Sequence, residues 1–446
     1  MKVISPKCDI EGRLTPALGE KLSRAAHEGS VWLRVGQLFD GVAELPLRNA
    51  NIVFDAAGIR FVGGERELPP PSVLTPGQEF PDAQLSAVTL LPMLVDAHAH
   101  LFLDGAPVEL ESRERYLQQP REWMLERARL RWEKILACGV GAVRDAGDNQ
   151  GVGLALAAES KSQRDGRRST PYLDSPGAAI HHRGRYGSFM GEPIEDHASA
   201  ADCVAARVAA GADRIKLLVS GIINFKAGRV TAPPQMSVEE VQSIVAAAQR
   251  HGRQTFAHAS GAEGVENAIE GGATTVEHGF FVTCEQLARM RDRQIGWVPT
   301  FAPVSLQLER AAELGHDVGV REHLQRIIAE HGAMLCHAAE IGVPIVAGSD
   351  AGSCGVPHGI GLIDELVHME SAGLTPIRVL RSATGSSAGL LDFSEPIGAI
   401  AAGKRARLIL SEHDPLSTAS NLRREKLILF DGRAIWCPAE LDSWGL

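Results

Sequence analysis

"LLPMLVDAHAHLF", residues 90–102, is an apolar run that carries Asp96, His98 and His100 towards its end. Alternation along a strand sends residues i and i+2 to one face, so His98 and His100 point together. Two imidazoles side by side either share a bound cation or repel each other once protonated. From about residue 90 to 350 the chain alternates short apolar runs with helical patterns. The runs read as strands end at His100, Ala146, about Ile180, Ser220, Ala259, His278, Thr300 and Asp350. Between them lie segments such as "SVEEVQSIVAAAQRHG" (237–252), in which Ser237 and Glu240 form a capping box and Gly252 a C-terminal stop. Such alternation predicts an α/β protein, a closed (β/α)8 TIM barrel. A doubly wound open sheet is the competing fold, but no GxGxxG follows the first strand to support it.

The flanks read differently. Residues 31–89 hold short strand-like runs broken by Gly and Pro ("VWLRVGQLF", "NIVF", "GIRFVGG"), and the C-terminal end does likewise ("IGAIAAGKRARLILS", "LILFDGRAIW"). The predicted organisation is an N-terminal extension at 1–30 with one helix near "ALGEKLSRAAHE", a first β-sandwich part at 31–89, the barrel at 90–392 and a second sandwich part at 393–446. The two β-rich ends would form one composite β-sandwich.

With 446 residues, 44% of them hydrophobic, there is ample material for a large core. A net charge of −10 argues against a general nucleic-acid binder. No run of about 20 apolar residues suggests a membrane span, and the N-terminus lacks the apolar stretch of a secretory signal. Seven scattered cysteines without a CxxC pair fit a reduced, cytoplasmic setting.

Chemistry in barrels of this kind gathers at the carboxyl ends of strands. Those ends supply His98, His100, Lys216, His258, His278 and Asp350. Imidazoles with a carboxylate suit Zn²⁺, Mn²⁺ or similar ions. Lys216 is the odd member, since an ammonium would be repelled by cations; its neutral amine can instead add carbon dioxide and become an anionic, two-oxygen ligand. One ion would then rest on His98, His100 and Asp350 and another on His258 and His278, bridged by carboxylated Lys216 (N6-carboxylysine) and a hydroxide.

"VDAHAH", "GADRIKLLVSG", "FAHASG", "VEHG" and "AGSDAG" resemble the successive metal motifs of the amidohydrolase superfamily, in its imidazolonepropionase-like and prolidase-like branch. "GVGAVRDAG", "VPTF" and the tail "ATGSSAGLLDFSEPIGAIAAGKRARLIL" extend the resemblance over about residues 34–433. It implies a barrel with a composite sandwich, two divalent metal ions with Zn²⁺ foremost, a small-molecule substrate and a homo-oligomer. Ser349 stands where the family more often has Thr, and Arg407 where it usually has an acidic residue. The expected reaction is hydrolysis of an amide-type C–N bond in a dipeptide, an N-acyl amino acid or a small cyclic amide. The bridging hydroxide attacks, and Asp350 serves as general base and then acid. A carbamate, urea, lactone or phosphotriester is the alternative substrate. A deaminase fits less well because of Lys216, and a non-catalytic homologue less well because every ligand is present.

For substrate binding the sequence offers "AAIHHRGRYGSFMGEP" (178–193), with His181, His182, Arg185 and Tyr186 as candidates and an arginine suited to a carboxylate. Asn224 and Lys226 are weaker candidates from the loop after strand four. Cys354 reads as packing, His358 as a lining residue, and Asp96 either as an orienting carboxylate or as a strand terminator. Strict alternation turns Glu277 away from His278 and makes it structural.

Overall fold

A computed structural model describes residues 12–162 and 169–439. Residues 1–11, including Cys8 and the first part of the N-terminal extension, lie outside the described residues. Helix Pro16–Glu28 is followed by β1 (Val31–Leu38), β2 (Leu47–Asp55), β3 (Gly58–Gly63) and β4 (Ala83–Pro92). Next come β5 (Leu94–Ala99), β6 (Val140–Asp145), β7 (Tyr172–Asp174), β8 (Ala179–His181), β9 (Gly191–Pro193) and β10 (Ile215–Leu218). A short hairpin, β11 (Ile223–Asn224) and β12 (Arg229–Val230), precedes β13 (Thr255–Ala259), β14 (Thr275–His278) and β15 (Gly296–Val298). The chain closes with β16 (Arg407–Ser411), β17 (Lys426–Phe430) and β18 (Arg433–Cys437).

The middle of the chain is parallel α/β. Strands β5, β6 and β7 pair in parallel, as do β8, β10, β13, β14 and β15, with β9 added at the edge. Most successive strands are separated by helices, among them Arg121–Ala137, Val152–Lys161, Val238–Arg250, Ala262–Glu270 and Val318–Ile341. Helices on the outside explain why β5, β6, β10, β13 and β14 are buried at every position, as parallel strands covered on both faces must be. Leu94, Val143, Leu217, Ala257, Val276 and Trp297 meet Leu136, Leu156, Ile244, Val265 and Leu335 of the helices in one continuous core.

Segment 344–351 joins the two parallel sheets. Val346 N–H donates to Trp297 O at 2.9 Å, while Ala97 N–H donates to Ala347 O at 3.0 Å and His100 N–H to Ala351 O at 2.7 Å. The expected eighth strand is therefore present only as bridges, and Gly348 lies so close to β5 that a Cβ there would sit 2.8 Å from His98 Cβ. The third expected strand, "YLDSPGAAI", is also broken. β7 pairs with β6 and β8 with β10, and the Pro176–Gly177 kink, with Gly177 at φ +61°, separates them.

Strands within 31–92 and 407–437 form one seven-stranded sheet in the order β18-β17-β16-β4-β1-β2-β3, where two facing sheets were expected. β4 explains this, because it pairs in parallel with β1 on one side and antiparallel with β16 on the other. Helix Pro16–Glu28, capped by the Thr15 side chain, packs Leu18, Leu22 and Ala26 onto this sheet. The capping box at Ser237 and Glu240 is reciprocal, and Gly252 follows the helix end at φ +64°. Among the described residues the cysteines are all free, and no helix is long and apolar enough to cross a membrane.

Candidate active site

Register brings the sequence candidates to one end of the parallel strands. In β10 and β13, Leu218 lies beside His258, and in β13 and β14, Ala259 lies beside His278. β5 delivers His98 and leads into His100. Segment 344–351 fixes Asp350 beside them, with Asp350 N–H donating to His98 O at 2.7 Å. Asp96 ties the two together. Its carboxylate accepts from Ser349 N–H at 2.9 Å and from Ser349 Oγ–H at 2.6 Å, as well as from His98 N–H at 3.2 Å. Asp96 is thus an orienting group, and the serine at 349 supplies the hydroxyl it needs.

The ring centroids of His98 and His100 are 5.5 Å apart, those of His98 and His278 5.1 Å, and those of His258 and His278 4.5 Å. His98 Nε2 and His100 Nε2 lie 3.6 and 3.4 Å from Asp350 Oδ1. Each of these three residues offers one ligand atom, and the three atoms lie within 4.8 Å of one another, which suits a single divalent cation.

Hydrogen bonding fixes which ring nitrogen is free. Glu277 can only accept, so His98 Nδ1–H donates to its Oε2 at 2.6 Å and leaves Nε2 with a lone pair. His100 Nδ1–H donates to Gly147 O at 3.3 Å, again freeing Nε2. His258 is reversed, with Nε2–H donating to Gly221 O at 3.4 Å and Nδ1 left free. His278 Nδ1 shares a 2.7 Å hydrogen bond with Thr300 Oγ1. This outer shell is what metal-binding histidines require. His98 Nε2 and Lys216 Nζ are buried and have no hydrogen-bond partner, as expected of atoms whose partner is a cation or an added group. The donor set therefore fits divalent ions.

Burial is the main cause of the electrostatics. It drives His98, His100 and His278 well below the ordinary imidazole range and His258 to about 3, with the nearby Lys216 charge adding to the effect. All four are thus neutral, ligand-ready imidazoles at pH 7. Burial also lowers Lys216 to about 8, against the opposing pull of Glu277. It raises Asp350 to about 7, against the opposing pull of Lys216.

The sequence reading turned Glu277 the wrong way. His278 has a left-handed φ of +66°, which breaks strand alternation, so Glu277 and His278 both face inward. Thr300 (φ +49°) and Asp350 (φ +52°) share this costly conformation. Three strained non-glycine residues around one cluster indicate a functional site. Glu277 also accepts from Arg144 Nη2 at 2.9 Å through both oxygens and from the Thr275 hydroxyl, all fully buried. Arg144 is held in turn by Ala97 O and Thr275 Oγ1.

A cavity of about 350 Å³ opens above this cluster. Its floor is His98, His100, Lys216, His258, His278 and Asp350, and its walls are largely apolar, including Phe189, Leu218, Ile222, Phe225, Phe280 and Val304. Of the four loop candidates only Tyr186 lines it, with its ring 5.2 Å from that of His258. His181 is buried behind the wall and donates to His182 O at 2.9 Å. His182 turns to Glu195 (2.7 Å) and Glu240 (3.1 Å), and Arg185 to Pro233 O at 2.6 Å. Acceptors outside the cavity thus engage both side chains. Asn224 and Lys226 do not line the cavity, whereas their neighbours Ile222, Ile223 and Phe225 do. Cys354 lines it with its thiol given to Val108 O at 3.0 Å, and His358 lies behind, bonded to His100 O at 3.0 Å. Arg113, Gln307 and Ser353 also line the cavity and carried no signal in the sequence, since none lies at a strand end.

Fold and cluster together define a metal-dependent hydrolase. Residues 89–434 match the model of the Amidohydrolase family, and the chain belongs to that family. It is an enzyme, a hydrolase acting on carbon–nitrogen bonds. Over 438 residues it is 25% identical to ochratoxinase from Aspergillus niger, covering 92% of this chain and 87% of that protein. The crystal structure of A. niger ochratoxinase superposes with a TM-score of 0.73 at 22% identity, covering 91% of this chain and 95% of the other. A Xaa-Pro dipeptidase crystallised with methionine in its active site superposes with a TM-score of 0.75 at 26% identity, over 92% of this chain and 100% of the other.

Proposed function

We propose that the protein hydrolyses the amide bond of a dipeptide, an N-acyl amino acid or a small cyclic amide at a pair of divalent ions. The observation that supports this is the convergence of four neutral imidazoles, Asp350 and an unpartnered Lys216 on the floor of one apolar cavity. Relatives that include a dipeptidase add weight to an amide substrate. The strands around the cavity, with segment 344–351 linking β15 to β5, are read as a closed (β/α)8 barrel spanning residues 90–392, flanked by the terminal β parts at 31–89 and 393–446.

His98, His100 and Asp350 would hold one ion, and His258 and His278 the other. Zn²⁺ suits this nitrogen-rich set best. Lys216 would serve as a carbamate shared between them. Its neutral amine would add carbon dioxide, forming an N–C bond and releasing one proton, so that a buried amine without a hydrogen-bond partner becomes an anion able to hold a cation. Bound divalent ions supply a water acidified to near neutral pH and polarise the carbonyl to be attacked. Asp350 accepts the proton of the attacking water and delivers it to the departing nitrogen. Arg144 and Glu277 hold His98 in place throughout, and the apolar walls exclude bulk water.

Asp350→Asn tests this reading. Turnover on an amide panel should fall at least ~10³-fold while the fold persists; near-normal turnover with confirmed metal content would overturn it. The largely apolar walls would also admit an uncharged carbamate or urea, so the panel should pair amides with carbamates and ureas of matched shape.

A further inference from the structure

The walls above the candidate metal floor are not uniformly apolar. One cation projects among them besides Lys216, and it is not the arginine that the loop sequence suggests. Arg185 is occupied outside with prolyl carbonyls. Arg113, on helix Leu110–Leu117 after β5, lines the cavity instead. Its Nη1–H donates to Gly352 O at 2.9 Å, which holds the guanidinium beside the segment that carries Asp350. Among the described residues no carboxylate lies within ion-pairing distance of Arg113, although the protein has many surface arginine–carboxylate pairs. A guanidinium has five N–H donors in a planar fork, and a single carbonyl leaves most of them unused.

Phe189, Ile222, Phe225 and Phe280 line the same cavity, and among the described residues its charged lining besides Arg113 is Lys216 and Asp350. Ile222 is 57% exposed and so lies at the rim. The cavity thus combines a half-buried, under-used guanidinium, aromatic and aliphatic lining, and Asp350 on the floor. An acyl amino acid offers the complementary groups: an anionic carboxylate, a scissile amide and an apolar portion. Resting on the amide-hydrolase reading above, we infer that Arg113 anchors the carboxylate of the substrate, so that the preferred substrates are amides whose amine portion carries a free α-carboxylate. Arg113 is a specificity determinant here, because its fork pairs bidentately with a carboxylate. Neutral carbamates and ureas leave it unpaired.

The test uses N-acetyl-L-phenylalanine and N-acetylphenethylamine, which differ only by the carboxylate, on wild-type protein, Arg113→Met and Arg113→Lys. Binding is measured calorimetrically and cleavage by amine release, with circular dichroism and metal content as controls. Wild type should bind the acid roughly 10- to 100-fold more tightly than the decarboxylated compound, the usual worth of a hydrogen-bonded charge. Arg113→Met should lose that discrimination with little change for the neutral compound, and Arg113→Lys should restore part of it. Failure of the acid to bind wild type, equal binding of both compounds, or discrimination that survives in Arg113→Met overturns the inference. Arg113-dependent binding of the acid without cleavage of any amide would instead keep the anchor and remove the hydrolytic reading.

Discussion

Glu277→Gln removes one negative charge from the interior while keeping its shape. The carboxylate accepts from His98 Nδ1–H, from the Thr275 hydroxyl and, through both oxygens, from Arg144. The side chains of Glu277, Arg144 and His98 are all 2% exposed or less. A glutamine supplies one acceptor oxygen and turns its NH2 towards groups that also donate, so the Arg144 charge is left without its counterion. Breaking a buried pair in this way costs about 3–5 kcal/mol. At roughly 2 °C per kcal/mol for a large domain, the metal-free variant should melt at least ~5 °C lower than the wild type. Losing the carboxylate that orients His98 should also weaken divalent-metal affinity about 10- to 100-fold. Differential scanning fluorimetry of metal-free protein reads the first effect, and competition with a chromogenic chelator reads the second. Adding Arg144→Met removes the stranded charge, so the double variant should regain much of the lost Tm without regaining metal affinity. A Glu277→Gln protein with wild-type Tm and metal affinity would refute the reasoning, and so would a double variant in which both properties return together.

Two other predictions concern buried nitrogen atoms. Protein loaded with metal in ¹³C-bicarbonate should give a carbamate carbon signal by NMR that is missing in Lys216→Ala, whose metal content should fall; identical spectra would exclude the modification. His331, stacked 4.0 Å from Phe280 and bonded to Pro299 O, is held by burial near pKa 4. The unfolded chain takes up the proton first, so its stabilising contribution is complete above pH 6.5 and is lost as pH falls towards 4. That is roughly 3 kcal/mol at pH 4. His331→Phe should therefore gain stability relative to wild type between pH 7.5 and 4.5 in urea melts, and a constant difference across that range would contradict the assignment.

Much of the site was legible because strand ends are marked by abrupt change, from apolar runs to His98, His100, His258, His278 and Asp350. Periodicity captured β5, β6, β13 and β14 and the capped helix Val238–Arg250 for the same reason. The failures have local causes. Alternation assigns Glu277 to the outside only while the backbone keeps ordinary β angles, and the left-handed turn at His278 reverses that result. The strand read as "YLDSPGAAI" is divided at Pro176–Gly177, and each half takes a different neighbour. His182 and Arg185 are residue types suited to a ligand, but Glu195, Glu240 and Pro233, which come later in the sequence, already engage them. Arg113 left no trace because a helix in a crossover loop brings it to the cavity, and no residue pattern encodes that path.

β4 receives β1 along one edge and β16 along the other, so a strand at residues 83–92 keeps an open flank until residues 407–411 are in place. A ribosome-bound chain could assemble the catalytic half and still expose that ladder of unpaired amides. Removing the tail would uncover an adhesive edge next to Met93, whose N–H donates to Arg407 O and which leads directly into the histidine strand. Pairing of the flanking strands is thereby coupled to the integrity of the centre, and a protein without β16 should clump before its histidine cluster comes apart.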